Sequence, residues 1–94
     1  MTFEKVKYHI VVMRERFVLI GILSRSDDAL FLLLDSAAVI RNWGTTRGLG
    51  QLARQGPQAN TKFDPEGDGL RINKLEVSRI IPCTAEAWEE WLPK

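Results

Sequence analysis

Residues 17–23 read FVLIGIL, an apolar run in which Gly21 is the one residue without a side chain. A run of this length and composition predicts a strand that is buried on both faces. A glycine inside such a strand marks a bulge or a close approach of another backbone, and both are common where a small sheet curls. The run therefore predicts a buried strand in a small, strongly bent sheet.

Further strands are predicted on both sides of this run. With it, the predicted strands of the first half cover residues 5–13, 17–23, 29–34 and 37–43. They are rich in β-branched, aromatic and other large apolar residues. Polar residues separate them, because 14–16 predict a hairpin turn, 24–28 a turn cluster, and Asp35 with Ser36 a further turn.

The second half begins with a predicted short helix over residues 44–55, which Thr45 or Thr46 caps and Gly56-Pro57 ends. Its apolar face is formed by Leu49, Leu52 and Ala53. The polar residues 57–69 predict a long loop, suited to mobility or to ligand and partner contacts.

Strands are predicted over residues 70–73 and 75–82, and Thr84 caps a final helix. The fold class is mainly β in a single domain, residues 1–94. We expect a strongly bent antiparallel sheet or an SH3- or OB-like barrel of five or six strands, with one inserted short helix and a C-terminal helix.

Composition excludes several classes of protein. Thirteen basic and twelve acidic residues leave a formal charge of +1, whereas a general nucleic-acid-coating protein needs a strong basic excess. No apolar run reaches the roughly 18 residues that span a bilayer, and no signal peptide is recognisable. One cysteine and one histidine give no disulfide framework and little catalytic or metal-binding machinery. We expect a cytoplasmic protein without a cofactor.

Residues 41–48 (RNWGTTRG) are the most informative segment for function. They combine two arginines, an indole, two hydroxyls and two glycines where a strand is expected to meet a helix. A helix N-terminus suits a phosphate or another anion, and an indole stacks on a base. The candidate site for a small anionic, nucleotide-like ligand comprises Arg41, Trp43, Thr45, Thr46 and Arg47, with Asn60 and Lys62 closing over the ligand.

The alternative for this segment is an N-capped helix with Trp43 packed in the core and the arginines solvated. The segment lacks the GK[ST] ending of a phosphate-binding P-loop.

Trp88 and Trp91 form an aromatic face on the predicted final helix. This face either docks the helix on the sheet or serves as an interface with another protein or a second copy. A chain of this size with several strand edges gains from self-association, so a homo-oligomer is expected. The alternative function is an interaction module that inhibits or assembles with a host or virion protein through this helix or the 57–69 loop.

Three other features suggest chemistry only weakly. The acidic stretch 64–69 imitates the start of a calcium loop, but Leu75 stands where the bidentate glutamate is needed. Cys83 precedes a helix cap, yet a buried apolar role is favoured over catalysis. His9 lies in an apolar strand and is favoured as a packed or edge residue. No catalytic residue and no metal site are therefore expected.

The segments VVMRERFVLIGILSR (11–25), DSAAVIRNWGTTRGLGQLARQGP (35–57) and VSRIIPCTAEAWEEW (77–91) together resemble a family of short, uncharacterised phage and prophage proteins, a domain-of-unknown-function family. The resemblance covers residues 6–91. It implies an accessory protein of the anti-defence type, in the cytoplasm of an infected bacterium, that acts by binding. Such a protein would sequester a nucleotide signal of host immunity or block a host protein directly.

Overall fold

The fold is a six-stranded antiparallel sheet with one short α-helix, seen in a computed structural model that describes residues 7–25, 30–89 and 91. The strands are β1 (Tyr8–Met13), β2 (Val18–Arg25), β3 (Phe31–Asn42), β4 (Lys62–Gly67), β5 (Leu70–Asn73) and β6 (Val77–Pro82). The helix α1 spans Leu49–Gln55, and two 3-10 turns cover Lys74–Glu76 and Glu86–Trp88. The mainly β fold expected from the sequence is confirmed.

The strand order is β4-β3-β2-β1-β6, and β5 pairs with β3 on the same edge as β4. The hairpin predicted between β1 and β2 is present, and its turn includes Arg16 at φ 74°. No pairing among the described strands joins β4 or β5 to β6, so the sheet is not closed into a barrel. Of the two predicted architectures, the structure adopts the open sheet.

The turn predicted at Asp35 and Ser36 was wrong, because both residues lie inside the twelve-residue strand β3. Between Ile20 and Ile22 the register on β3 moves from Ala38 to Asp35. One extra residue on β3 forms a β-bulge, and Ser36 takes a positive φ of 48° there. Polar residues typical of turns thus bend a strand without ending it.

Gly21 lies opposite this bulge, as its position in the apolar run suggested. A Cβ atom on Gly21 would stand 3.0 Å from the carbonyl oxygen of Asp35 and 3.2 Å from the side chain of Leu34. The glycine therefore lets β3 approach β2 closely where the sheet bends.

The long loop predicted over residues 57–69 was also wrong in its second part, where Lys62–Gly67 forms β4. Proline is tolerated in edge strands, where its missing N–H faces outward. Pro65 lies in such a strand, opposite Ala38. β4 and β5 run one after the other along β3, with a short break at Asp68 and Gly69.

One face of the sheet is covered by α1 and the second 3-10 turn. The buried residues of this first core cluster are Tyr8, Ile10, Val18, Ile20, Ala38, Ile40, Leu49, Leu52, Ala53, Cys83 and Trp88. The predicted apolar face of the helix is confirmed, because its three residues are all buried. The predicted helix end is also correct, since the N–H of Gly56 caps the carbonyl of Leu52.

Both helix starts differ from the prediction. α1 begins at Leu49 with Gly48 as N-cap and no side-chain cap. The final helix is a 3-10 turn over Glu86–Trp88 in the described part of the chain. Residues 90 and 92–94, which the helix was predicted to include, lie outside the described residues, as do residues 5–6 and 29 of two predicted strands and residues 26–28 of the predicted turn. Residues 24–25 of that turn belong to β2, and the strand predicted over 75–82 begins at Val77 because the 3-10 turn precedes it.

The opposite face of the sheet carries a second core cluster. Its buried residues are Val11, Leu19, Leu34, Ala37 and Ile72. The central apolar run is thus buried on both faces, because Ile20 belongs to the first cluster and Leu19 to the second. Phe17, the first residue of the run, is 57% exposed. Among the described helices, none has the length and apolar character needed to cross a membrane.

Candidate functional site

An open depression lies where β3 ends and the chain turns toward α1. Its volume is about 600 Å³, and it is broadly open to solvent. The lining residues are Arg41, Asn42, Trp43, Gly44, Thr45, Thr46 and Asn60. The fold therefore brings together five of the seven residues predicted for the ligand site, including Asn60 from a separate segment.

Trp43 is 40% exposed and does not belong to either core cluster. Its ring lies beside Gly48, where an added Cβ would stand 3.8 Å from the indole. The Trp43 carbonyl accepts a hydrogen bond from the hydroxyl of Thr61 at 2.7 Å. The backbone at Trp43 is therefore held while part of the indole stays accessible to a ligand.

A close contact between two segments fixes the floor of the depression. Gly44 has a φ of 68°, and a Cβ atom there would overlap the backbone of Asn60 and Thr61. A side chain at residue 44 would separate the segments. The Thr61 hydroxyl also accepts the N–H of Gln58 at 2.8 Å, which closes the turn that carries Asn60.

Thr45 and Thr46 do not cap the helix as predicted. The Thr45 hydroxyl donates to the carbonyl of Gly48 at 2.8 Å, and the Thr46 hydroxyl donates to Oε1 of Gln51 at 3.2 Å. The same oxygen of Gln51 accepts the N–H of Arg47 at 2.7 Å. The backbone N–H of Arg47 was predicted to be free for an anion. In the structure it already donates to the side chain of Gln51, which lies inside α1.

The basic residues of the predicted site are distributed over different places. The Nε atom of Arg41 pairs with a carboxylate oxygen of Asp64 at 3.2 Å, and both side chains are more than half exposed. Arg47 lines a separate shallow depression on α1 with Arg54. Lys62 is exposed on β4 and does not line the main depression.

The tryptophans predicted as an interface lie against the sheet. Trp88 is 1% exposed, and its Nε1–H donates to the carbonyl of Ala53 at 3.0 Å. Trp91 is half-buried, and its ring contacts Tyr8, Phe63 and Trp88 with centroids 4.9, 5.0 and 5.3 Å away. Trp88 therefore packs in the core, which is the first of the two roles considered for this aromatic face. Because its side chain is buried, a partner cannot contact it in the folded chain.

Burial shifts the pKa values of two titratable groups outside the depression, Cys83 and His9. Burial raises the pKa of the Cys83 thiol to about 12, so the nucleophilic thiolate is scarce at neutral pH. Burial lowers the pKa of His9, whose Nδ1 has no hydrogen-bond partner among the described residues. The described chain holds no group of three or more His, Cys, Asp or Glu side chains that could bind a metal.

The acidic stretch 64–69, considered above as the start of a calcium loop, belongs mostly to strand β4. The carboxylate of Asp68 accepts a backbone N–H from β3, and that of Asp64 pairs with Arg41. These side chains are therefore directed to contacts within the sheet.

Two lining residues were not predicted, Asn42 and Gly44. Asn42 follows Arg41 at the polar end of β3, after the apolar residues 37–40, and this change of polarity was a usable signal. The role of Gly44 depends on its approach to Thr61, which is 17 positions away along the chain, so local sequence carried no sign of it.

A family model described as a domain of unknown function, DUF6948, matches residues 6–91. The chain belongs to this family. The membership covers almost the whole chain and confirms the resemblance at the level of a domain of unknown function. Comparisons of this DUF6948 member with curated proteins and with solved structures give no match.

Proposed function

We propose that this DUF6948 domain is a non-enzymatic binding protein that captures a small anionic, nucleotide-derived ligand in the depression at the end of β3. The observation that carries the proposal is the half-accessible indole of Trp43 beside Arg41, Thr45, Thr46 and Asn60 around one open space. Tryptophan is enriched among the residues that contribute most to binding energy, and Trp43 stands beside groups that can pair with an anion.

Each lining group has a role that follows from its chemistry. The indole face of Trp43 stacks on a base, a contact worth about 1–3 kcal/mol per base. The Arg41 guanidinium exchanges its exposed contact with Asp64 for a ligand phosphate, because exposed ion pairs contribute only about 0–1 kcal/mol and a phosphate offers bidentate pairing. The amide of Asn60 and the hydroxyl of Thr46 supply hydrogen bonds that fix the orientation.

The proposed biological role is that of a phage accessory protein with an anti-defence function. Its support is the resemblance of the three quoted segments to short phage and prophage proteins. In that role the protein acts in the cytoplasm of an infected bacterium and holds a nucleotide signal without converting it.

The same proposal includes a homo-oligomer. β6 pairs only with β1 among the described strands and carries Ile80 at 39% exposure. An open strand edge of this kind readily pairs with a second copy. Light scattering of the purified protein then gives a mass that is a multiple of the chain mass, and a monomer mass at high protein concentration contradicts this part of the proposal.

The proposal is tested by ligand depletion. Purified protein is mixed with a panel of cyclic oligonucleotides and ADP-ribose derivatives, the filtrate is assayed, and the protein is then heat-denatured to release bound material for mass analysis. We expect at least one compound to be depleted and released intact. A converted product instead of intact release would show an enzyme, and no depletion across the panel would remove the proposal.

Matched variants locate the site. Trp43→Ala and Arg41→Gln are expected to weaken binding of the depleted compound by tenfold or more. Arg79→Gln, an exposed arginine on the distant strand β6, is expected to bind like the unmodified protein. Thermal unfolding of all three variants checks that lost binding does not reflect a lost fold.

A further inference from the structure

A second concave surface lies on the face of the sheet opposite α1. It is a groove of about 340 Å³ that shares no residue with the depression at the end of β3. Its apolar lining residues are Met13, Phe17, Leu19, Val39, Leu70 and Ile72. Leu19 alternates along β2 with Val18 and Ile20, which belong to the helix-covered core, so the groove is on the other face.

The apolar surface of this groove is partly accessible. Phe17 stands at the groove and is 57% exposed. The β1–β2 hairpin holds it there, because the carbonyl of Phe17 accepts the N–H of Met13 at 2.8 Å. The backbone of Phe17 is therefore held in the hairpin, and its exposed phenyl ring is available to a partner.

Carboxylates from three separate elements surround the groove. Glu15 comes from the β1–β2 turn, Glu66 from β4, and Glu76 from the 3-10 turn before β6. All three are exposed, and no ion pair within the described chain reaches them.

The basic residue lining the groove, Arg71, is engaged elsewhere. Its guanidinium lies 4.4 Å from the ring centroid of Phe31 in a cation–π contact. Arg71 keeps its positive charge in this contact, so the side chains that line the groove carry three negative charges and one positive charge, although the chain as a whole carries a charge of +1.

We infer that this groove binds a segment of a partner protein in which a bulky apolar side chain is flanked by lysine or arginine. The apolar floor takes the apolar side chain, and the three carboxylates face the flanking positive charges. Because the carboxylates lie on different elements around an open groove, their complement is a set of separated charges, as on an extended peptide. No group of three such side chains in the described chain is close enough to hold one metal ion, so a single compact cation does not meet all three.

The experiment is a display selection, in which a library of random peptides is enriched for those that bind the purified protein. We expect enriched peptides to carry lysine or arginine within two positions of leucine, phenylalanine or another bulky apolar residue. A synthetic peptide of the enriched sequence is then titrated against the protein by fluorescence anisotropy. Its affinity is expected to fall as salt is raised, since screening weakens exposed charge pairs.

Variants assign the binding to the groove. The triple substitution Glu15→Gln, Glu66→Gln and Glu76→Gln is expected to weaken the peptide tenfold or more. Trp43→Ala is expected to leave peptide affinity unchanged, which separates this inference from the ligand site at the end of β3. A second variant, Phe17→Ser, keeps the carboxylates and removes the exposed ring, and is also expected to weaken the peptide.

Several outcomes would overturn the inference. These are the absence of any enriched peptide, enrichment of acidic or uncharged peptides, and an unchanged affinity in the triple variant. A change in oligomeric mass in the triple variant, measured by light scattering, would show that a second copy of this chain occupies the groove.

Discussion

Asp68 and Ser36 are joined across the bend of the sheet, where the Asp68 carboxylate accepts the backbone N–H of Ser36 at 2.7 Å. Asp35 makes the reverse contact, because its carboxylate accepts the N–H of Gly69 at 2.8 Å. Here β3 bulges and the strand pairing breaks between β4 and β5. Two side chains therefore replace the backbone hydrogen bonds that the irregularity removes.

Removing one of these carboxylates is expected to loosen the edge of the sheet. Asp68→Ala should lower the free energy of unfolding by about 1 kcal/mol, which is the usual contribution of an ordinary hydrogen bond and less than that of a buried one to a charged group, because the site is exposed. Urea unfolding measures the change. Glu66→Ala, an exposed carboxylate nearby, should stay within about 0.5 kcal/mol of the unmodified protein. Equal losses in the two variants would contradict the role of the hydrogen bond.

The same region explains why the sequence predicted the strands but not their connections. Asp35 and Ser36 have the composition of a turn, and Pro65 with two nearby glycines has that of a loop. Both segments form strands because they pair with a neighbouring strand, and this pairing outweighs the turn preference of the local sequence. Gly21 permits the close approach at the bulge, and Pro65 is tolerated because β4 is an edge strand. Such compensation depends on residues far away in the chain.

The sequence indicated which residues lie together at the candidate site better than it indicated how they are arranged. Trp43, Arg41 and Asn60 are placed together as the sequence suggested. The proposed capping by threonine failed because Gln51 accepts the nearby N–H of Arg47 instead. Gln51 inside the helix and a threonine before it compete for the same N–H. No distinct pattern in the sequence shows which of them accepts it.

Trp88 is expected to be a main determinant of stability. Trp88→Ala should lower the free energy of unfolding by about 3–5 kcal/mol, the usual loss on truncating a buried aromatic residue, because the side chain is 1% exposed and packs under α1. Trp88→Phe should lose less, since a smaller aromatic ring still fills part of the space and the Ala53 carbonyl, which loses the indole N–H, still accepts the N–H of Thr84 at 2.9 Å.

The control for this prediction is Leu75→Ala, because Leu75 is 68% exposed. It should change the free energy of unfolding by no more than about 0.5 kcal/mol. Denaturant unfolding followed by circular dichroism compares the three variants. If Trp88→Ala unfolded at the same urea concentration as Leu75→Ala, the core role of Trp88 would be refuted.

The Cys83 thiol is expected to be unreactive until the chain unfolds. Burial is the main cause that raises the pKa of this thiol to about 12, and Cys83 is only 1% exposed. Labelling with a thiol reagent at pH 8 should therefore be slow in buffer and fast in concentrated urea. Rapid labelling of the folded protein would contradict this environment.

The raised pKa also predicts a pH dependence of stability. Above its ordinary value of 9.0 the thiol ionises in the unfolded chain, while the folded chain keeps the proton up to about pH 12. The unfolded state then binds fewer protons, so stability falls as the pH rises through this window. Cys83→Ala should show a smaller decline between these pH values than the unmodified protein, which isolates the thiol from other groups that titrate there.

Two glycines near the candidate site are expected to respond to alanine in opposite ways. Gly50 lies in α1, and an added Cβ meets no atom within 4 Å, so Gly50→Ala should raise the free energy of unfolding by about 0.5–1 kcal/mol through helix propensity. Gly44→Ala should lower it by more than 1 kcal/mol, because its φ is 68° and the Cβ meets the backbone of Thr61. Thermal and urea unfolding of the pair test this, and a stable Gly44→Ala variant would mean that the two segments lining the depression are not held together by this contact.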